Sequence, residues 1–164
     1  MRVILSALIF FSPGSAWAMG HAPEQPAESA LIGKPAPDAV LARSDGAPGS
    51  VVGSFQGHRT ILVFWATWCP HCYEDLGQIY AGLASIEQKG IKVILVDVGE
   101  TPQDVKNYFA SRQMKLASFV DEDSVMQRPY RLIGVPTLIF IDEKGTVRNV
   151  AHEFPSNYTD YFSS

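Results

Sequence analysis

Cys69 and Cys72 are the only cysteines of the 164-residue chain, and two residues separate them. They follow an apolar, β-branched and aromatic run over 60–66, which predicts a strand buried on both faces, and they begin a segment with helical spacing. A thiol at a helix N-terminus meets free backbone N–H groups and the positive end of the helix dipole, which both favour the thiolate. The spacing brings both sulfurs to one side of the first turn. Because so small a ring adds little stability, reversible disulfide exchange is the chemistry that the pair predicts.

Pro70 and His71 stand between the two cysteines. Pro70 has no backbone N–H and presets φ for the first helical turn. His71 brings a positive charge or an N–H donor close to the Cys69 thiolate. Stabilising that thiolate stabilises the reduced form, so a histidine at this position makes the disulfide more oxidising. The alternative is an exposed histidine with little influence.

The flanking segments predict a sheet covered by helices. From Pro70 to Gln88 apolar residues recur at helical spacing, and Lys89-Gly90 ends the helix with a cation and a cap glycine. Thr101 and Pro102 open a second helix as N-cap and first residue. Further elements are predicted as strands over 91–98, 118–120, 137–141 and 146–150, a hairpin from 39–41 and 50–52, and a short helix that Asp123 caps and that ends near Tyr130.

Composition excludes several classes of protein. The chain has a formal net charge of −4 and no run of basic residues, so a nucleic-acid-binding or polybasic membrane-binding surface is not expected. Two cysteines are too few for a disulfide-stapled miniprotein or a four-cysteine zinc site. The length and the 46% hydrophobic content fit one globular domain.

The N-terminus has the three-part layout of a secretory signal. Arg2 is followed by an apolar run over 3–11, and Ala16-Trp17-Ala18 supplies small residues for cleavage. We expect a signal peptide over 1–18, a flexible leader over 19–30 and a globular domain over 31–164, which places the protein in the periplasm. An uncleaved N-terminal membrane anchor is the alternative, although nine apolar residues reach only about half-way across a bilayer core.

The motifs around the cysteines resemble a known family. Phe64-Trp65-Ala66-Thr67-Trp68-Cys69 together with Gly33-Lys34-Pro35-Ala36-Pro37-Asp38 and Ile133-Gly134-Val135-Pro136-Thr137 is similar to the TlpA/ResA-like branch of exported thiol–disulfide oxidoreductases in the thioredoxin superfamily. The resemblance covers Leu31 to Asn149. It implies an α/β thioredoxin fold, with a central mixed β-sheet flanked by helices and an N-terminal β-hairpin extension. Because only fourteen residues follow Val150, the C-terminal helix of that fold is expected to be shortened.

The resemblance also implies roles for individual residues. Cys69 is the exposed nucleophile and Cys72 the resolving thiol, while Trp68, Pro70 and His71 tune the active site. The Val135–Pro136 bond is expected to be cis, in a loop that faces the disulfide and whose Val135 backbone binds an extended segment of the partner.

One acid is assigned a role in the same way. Members of the branch carry an acid, usually Glu, at the position of Asp75, and it is proposed to move protons for the buried thiol. Asp75 follows Cys72 by three residues and so lies on the same helical face. The alternative is a solvated first-turn acid that favours the helix dipole. Val63 stands where cytosolic thioredoxins bury an Asp on the preceding strand, so that proton relay is absent.

The expected function is exchange of disulfides with protein thiols in the periplasm, supported by a membrane-bound or periplasmic redox donor or acceptor. The scaffold favours a TlpA-like reductase, for example in cytochrome c maturation, whereas the Pro-His dipeptide resembles the oxidising active site of DsbA. A thiol-based copper carrier is the non-enzyme alternative, and a peroxidatic cysteine is excluded because Ala66 replaces the threonine of that motif. We expect no cofactor, no metal and no nucleic acid, and a monomer.

Overall fold

The computed structural model describes residues 27–163, so the expected signal peptide over 1–18 and residues 19–26 of the leader lie outside the described residues. Among those residues, no helix is long and apolar enough to cross a membrane. Seven strands are present: β1 (Val40–Arg43), β2 (Pro48–Ser50), β3 (Arg59–Trp65), β4 (Ile91–Val98), β5 (Ser118–Asp121), β6 (Thr137–Ile141) and β7 (Val147–Ala151). The two α-helices are α1 (Pro70–Gln88) and α2 (Pro102–Ser111).

The strands form one mixed sheet in the order β2-β1-β5-β4-β3-β6-β7. The central strands β3, β4 and β5 are parallel, and each connection between them contains a helix, as parallel neighbours require. Strand β6 pairs antiparallel with β3, β7 pairs antiparallel with β6, and the β1–β2 hairpin extends the other edge of the sheet. The predicted mixed sheet, its flanking helices and the hairpin extension are therefore confirmed.

The two faces of β3 belong to different halves of the core. Ile61, Val63 and Trp65 face α1 and α2, while Leu62 and Phe64 face the opposite side. All five side chains are at most 1% exposed, which accounts for the continuous apolar run in the sequence. Because both faces are covered, β3 is held firmly up to the residue where the active-site loop begins.

The predicted helix from Asp123 to Tyr130 is wrong. The chain forms turns there, and Asp121 rather than Asp123 accepts the local backbone hydrogen bonds, from the N–H groups of Val125 and Met126. Ser124 has a φ of 55°, a left-handed conformation that a right-handed helix does not tolerate. The turns still bury Met126 and Tyr130 against the second face of the sheet.

The C-terminal helix is shortened, as predicted. After β7 the described chain forms only a 3-10 helix over Tyr158–Phe162. Its Tyr161 and Phe162 rings lie 4.7 Å and 5.5 Å from the ring of Phe140 on β6. A second 3-10 helix, Ala27–Leu31, occupies the last four residues of the segment that was predicted to be a flexible leader.

Candidate active site

The cysteine pair lies where β3 passes into α1. Cys69 is the N-cap of α1, and its sulfur is joined to that of Cys72 in a disulfide, with the two Cα atoms 5.3 Å apart. The backbone N–H of Cys72 points at the Cys69 Sγ atom over 3.1 Å. A helix N-terminus leaves such N–H groups without partners inside the helix. The same contact favours negative charge on Cys69 once the disulfide is reduced.

Both sulfurs are more covered than the sequence led us to expect. Cys69 is 5% exposed and Cys72 1%, so the order of access is as expected but Cys69 is not freely exposed. Trp68, directly before the pair, is 68% exposed and projects a large apolar surface beside the disulfide.

The facing loop contains Val135 and Pro136. The peptide bond between them is cis, as the resemblance implied, and the Val135 carbonyl oxygen lies 3.5 Å from Cys69 Sγ. Thr137 Oγ1 donates to the Gly134 carbonyl oxygen over 2.8 Å across the same turn. Val135 is half-buried and packs against both halves of the core, so its backbone is held at the edge of the disulfide.

His71 and Asp75 line one side of a cavity of about 300 Å³ next to the disulfide. The His71 side chain is exposed, and the opposite wall comes from the segment after β7, including His152 and Glu153. Pro70 is exposed at the first helical position. The structure thus brings together on one face the residues that the sequence grouped around the cysteines.

Asp75 is a buried acid rather than a solvated one. It is 5% exposed, its Oδ1 accepts the Phe154 N–H over 3.0 Å, and its Oδ2 has no partner among the described residues. Burial raises the pKa of Asp75, the Phe154 hydrogen bond opposes that rise, and the nearby Glu153 adds to it. The alternative of a solvated first-turn acid is therefore wrong.

A second buried acid, Asp97, was missed by the sequence analysis. It lies on β4 in register with Trp65 of β3, is fully buried, and neither carboxyl oxygen has a hydrogen-bond donor in good geometry among the described residues. Burial raises the pKa of Asp97 to about 9, and the carboxyl group of Glu100 beside it adds to the rise. A signal was present in the sequence, because Asp97 is an acid inside a strand predicted to be buried.

Glu100 connects this acid to the active-site loop. Its Oε2 accepts the backbone N–H of Thr67 over 2.6 Å, and its Oε1 accepts the Thr67 hydroxyl over 2.5 Å. Thr67 is two residues before Cys69. On the strand side the loop begins at Trp65, whose indole N–H donates to Ser118 Oγ over 3.1 Å.

The residues that the structure describes offer no ligand set for the copper carrier that was the non-enzyme alternative. Within residues 27–163, no group of three or more His, Cys, Asp or Glu side chains is arranged to hold a metal ion. In particular, no third ligand accompanies the cysteine pair in this range.

Comparison with known proteins agrees with this geometry. Residues 32–150 match the model of the AhpC/TSA family. The chain is 28% identical over 146 residues to the thiol-disulfide oxidoreductase ResA of Bacillus thuringiensis subsp. konkukian (strain 97-27), covering 89% of this chain and 83% of that protein. It is also 28% identical over 148 residues to the sporulation thiol-disulfide oxidoreductase A of Bacillus subtilis (strain 168), covering 88% and 82%.

A solved structure shares the fold. The crystal structure of StoA from Bacillus subtilis aligns with a TM-score of 0.64 at 20% identity, over 80% of this chain and 99% of that one. The predicted resemblance to TlpA/ResA-like proteins of the thioredoxin superfamily is confirmed, as is the predicted class of enzyme, a thiol–disulfide oxidoreductase.

Proposed function

The chain belongs to the AhpC/TSA family, and we propose that it exchanges disulfides with protein partners outside the cytoplasm, with Cys69 as the attacking sulfur and Cys72 as the resolving thiol. The observation that carries this assignment is the position of the disulfide at the start of α1, where Cys69 keeps the greater access. Membership of the family does not make the chain a peroxidase, because Ala66 stands where a peroxidatic motif requires threonine.

The reaction is a pair of thiolate–disulfide exchanges. The Cys69 thiolate attacks one sulfur of a partner disulfide, and the other partner sulfur leaves as a thiolate. Cys72 then loses its proton and attacks Cys69 Sγ, which closes the Cys69–Cys72 disulfide and releases the second partner thiolate. The partner has gained two electrons and this protein has lost two. The same steps in reverse oxidise a partner.

The surrounding residues are assigned parts in these steps. The Cys72 N–H stabilises negative charge on Cys69, and the Val135 backbone lies where an extended partner segment passes the disulfide. Asp75, one helical turn after Cys72 and protonated more readily than an ordinary Asp, accepts the Cys72 proton during resolution and returns it during reduction.

We infer that the favoured direction is reduction of disulfides in exported proteins, with apoproteins of cytochrome c as one substrate class. The resemblance of the scaffold to TlpA-like proteins supports a reductase, while the exposed His71 supports the oxidase alternative. The N-terminal signal layout over 1–18, ahead of a domain over 31–164, supports export to the periplasm. A periplasmic or membrane-bound donor of electrons then restores the dithiol, and the protein acts as a monomer.

The reduction potential of the cysteine pair and the capture of partners test the proposal. We expect Cys72→Ser to accumulate mixed disulfides through Cys69 with exported proteins, and Cys69→Ser to accumulate none. Equilibration of the wild-type protein against glutathione should give a potential nearer that of thioredoxin, about −270 mV, than that of DsbA, about −120 mV. A potential near that of DsbA would overturn the direction, and mixed disulfides formed only through Cys72 would overturn the assignment of the two sulfurs.

A further inference from the structure

The loop that carries Cys69 is fixed to the rest of the molecule through Thr67. The Cys69 N–H closes a turn onto the Ala66 carbonyl oxygen over 3.2 Å, but that contact lies within the loop itself. The two Thr67 hydrogen bonds to Glu100, at 2.6 Å and 2.5 Å, reach across 33 residues to the segment between β4 and α2. Both oxygens of the Glu100 carboxyl group therefore hold the loop at Thr67.

Glu100 accepts a hydrogen bond from Thr67 on each carboxyl oxygen, so it is the acceptor in both contacts. The neighbouring Asp97 is fully buried and has no donor in good geometry for either oxygen. Two ionised carboxylates side by side in a buried site repel each other, and one of them keeps its proton. The Glu100 backbone N–H acts on Asp97, but neither Asp97 oxygen has a donor in good geometry, so Asp97 is the acid expected to keep its proton and to donate its O–H to Glu100.

We propose that Asp97 and Glu100 form a proton-sharing carboxyl pair that positions Thr67, and through it Cys69, for disulfide exchange. The inference rests on the proposed function, and both acids are positioning residues, because neither touches the sulfurs. The proposed pair contains one O–H···O⁻ hydrogen bond from Asp97 to Glu100, and Thr67 donates two further hydrogen bonds to Glu100. Removal of the shared proton leaves two adjacent negative charges, which weakens the hold on Thr67.

The surroundings of the pair favour the protonated state. The charged groups that act on Asp97 are Glu100 and Asp104 of α2, and both are acidic. Tyr108 of α2 also acts electrostatically on Glu100, and its own pKa is raised by burial. Arg112 lies over the Tyr108 ring, at 3.9 Å from its centroid, but the charged groups that act on Asp97 itself are both acidic, so they oppose its ionisation. The high pKa of Asp97, about 9, agrees with a shared proton at neutral pH.

The first test looks at the proton itself, in the oxidised protein, where neither cysteine titrates. Infrared spectroscopy of the wild type at pH 7 should show the C=O stretch of a buried protonated carboxyl group, and the band should be lost above pH 9 and in Asp97→Asn. The exposed Asp123, changed to Asn, is the matched control and should leave the band unchanged. Absence of the band at pH 7, or its persistence in Asp97→Asn, overturns the carboxyl pair.

The second test looks at positioning, through the rate at which dithiothreitol reduces the disulfide. We expect Glu100→Gln and Thr67→Val to slow reduction about tenfold, because a displaced reacting group loses rate steeply. Asp97→Asn, which keeps a donor for Glu100, should slow reduction less than Glu100→Gln does at pH 7. Glu122→Gln, at an exposed acid, is the control.

Rates within twofold of the wild type in both Glu100→Gln and Thr67→Val would overturn the positioning role. If Glu100→Gln fails to fold, Thr67→Val and the amide NMR signal of Thr67 in the wild type decide, since that signal should move as the pair titrates near pH 9. A protein that captures no partner would refute the proposed function, while the infrared band and the Thr67 signal would still report on the pair.

Discussion

Replacing Asp97 with Asn is expected to stabilise the folded protein at neutral pH, although Asp97 is fully buried. The reason is the proton that the native state holds. Burial and the neighbouring Glu100 raise the pKa of Asp97 from 3.8 to about 9, so the carboxyl group is neutral in the folded protein at pH 7 and ionised in the unfolded chain. Unfolding then releases a proton, which favours the unfolded state more strongly as the pH rises.

The size of the effect follows from the pKa values. Keeping Asp97 protonated lowers the free energy of unfolding, and between pH 3.8 and pH 7 this cost grows by about 1.4 kcal/mol per pH unit. Its upper value is about 4 kcal/mol at pH 7 and less than 2 kcal/mol at pH 5. Asn removes this cost but brings a second N–H that is buried without an acceptor, at about 1–3 kcal/mol. We therefore expect Asp97→Asn to be about 1–3 kcal/mol more stable than the wild type at pH 7.

Urea unfolding of both oxidised proteins at pH 5 and pH 7 measures the free energy of unfolding. The free energy of unfolding of Asp97→Asn minus that of the wild type should grow by about 2.7 kcal/mol between these two pH values. The reason is that the pKa of Asp97 is raised in the folded state, so the wild type loses stability throughout that window. The buried Asp75 also titrates, but it is present in both proteins and cancels in the difference. A difference that does not change between pH 5 and pH 7 would refute the reasoning, and Asp123→Asn should show no such trend.

Three further predictions concern single side chains. His71→Pro should lower the reduction potential of the cysteine pair by tens of millivolts, where 30 mV equals about 1.4 kcal/mol. An unchanged potential against glutathione would show that His71 does not affect the cysteine pair. Asp75→Asn should lengthen the lifetime of the mixed disulfide on Cys69 at pH 7 by about tenfold, whereas an unchanged lifetime in quenched-flow trapping would remove its role in proton transfer. Ser118→Ala should lower the free energy of unfolding in urea by about 1–3 kcal/mol, because the buried Trp65 indole N–H loses its acceptor, while the exposed Ser85→Ala should change it little.

The elements with local boundary signals could be predicted from the sequence. The helix α1 begins and ends as predicted, because Pro70 fits only its first position and Gly90, at a φ of 72°, allows the chain to leave it. The N-cap of α2 is also as predicted, since Thr101 and Asp104 form a capping box. In these cases a few adjacent residues carry all the information that decides the structure.

The features that were missed depend on residues distant in sequence. Asp123 is of a type suited to an N-cap. The carboxyl group of Asp121 accepts the backbone N–H groups instead, because the sheet holds Asp121 at the end of β5. The contact between Glu100 and Thr67 joins two loops that only the parallel pairing of β3 with β4 brings together. The low exposure of Cys69 likewise comes from packing against the facing loop, which no local pattern encodes.

The two buried acids near the disulfide differ in the property that separates proton transfer from positioning, namely access to solvent. Asp75 lines the cavity beside His71 and keeps 5% exposure, whereas Asp97 keeps none. Asp97 is fully buried in register with Trp65, and Glu100 is the side chain that acts on it by hydrogen bonding among the described residues. Burial raises the pKa of both acids, but of the two only Asp75 lines the cavity. We therefore propose proton transfer for Asp75, and positioning of Cys69 through Thr67 for Asp97.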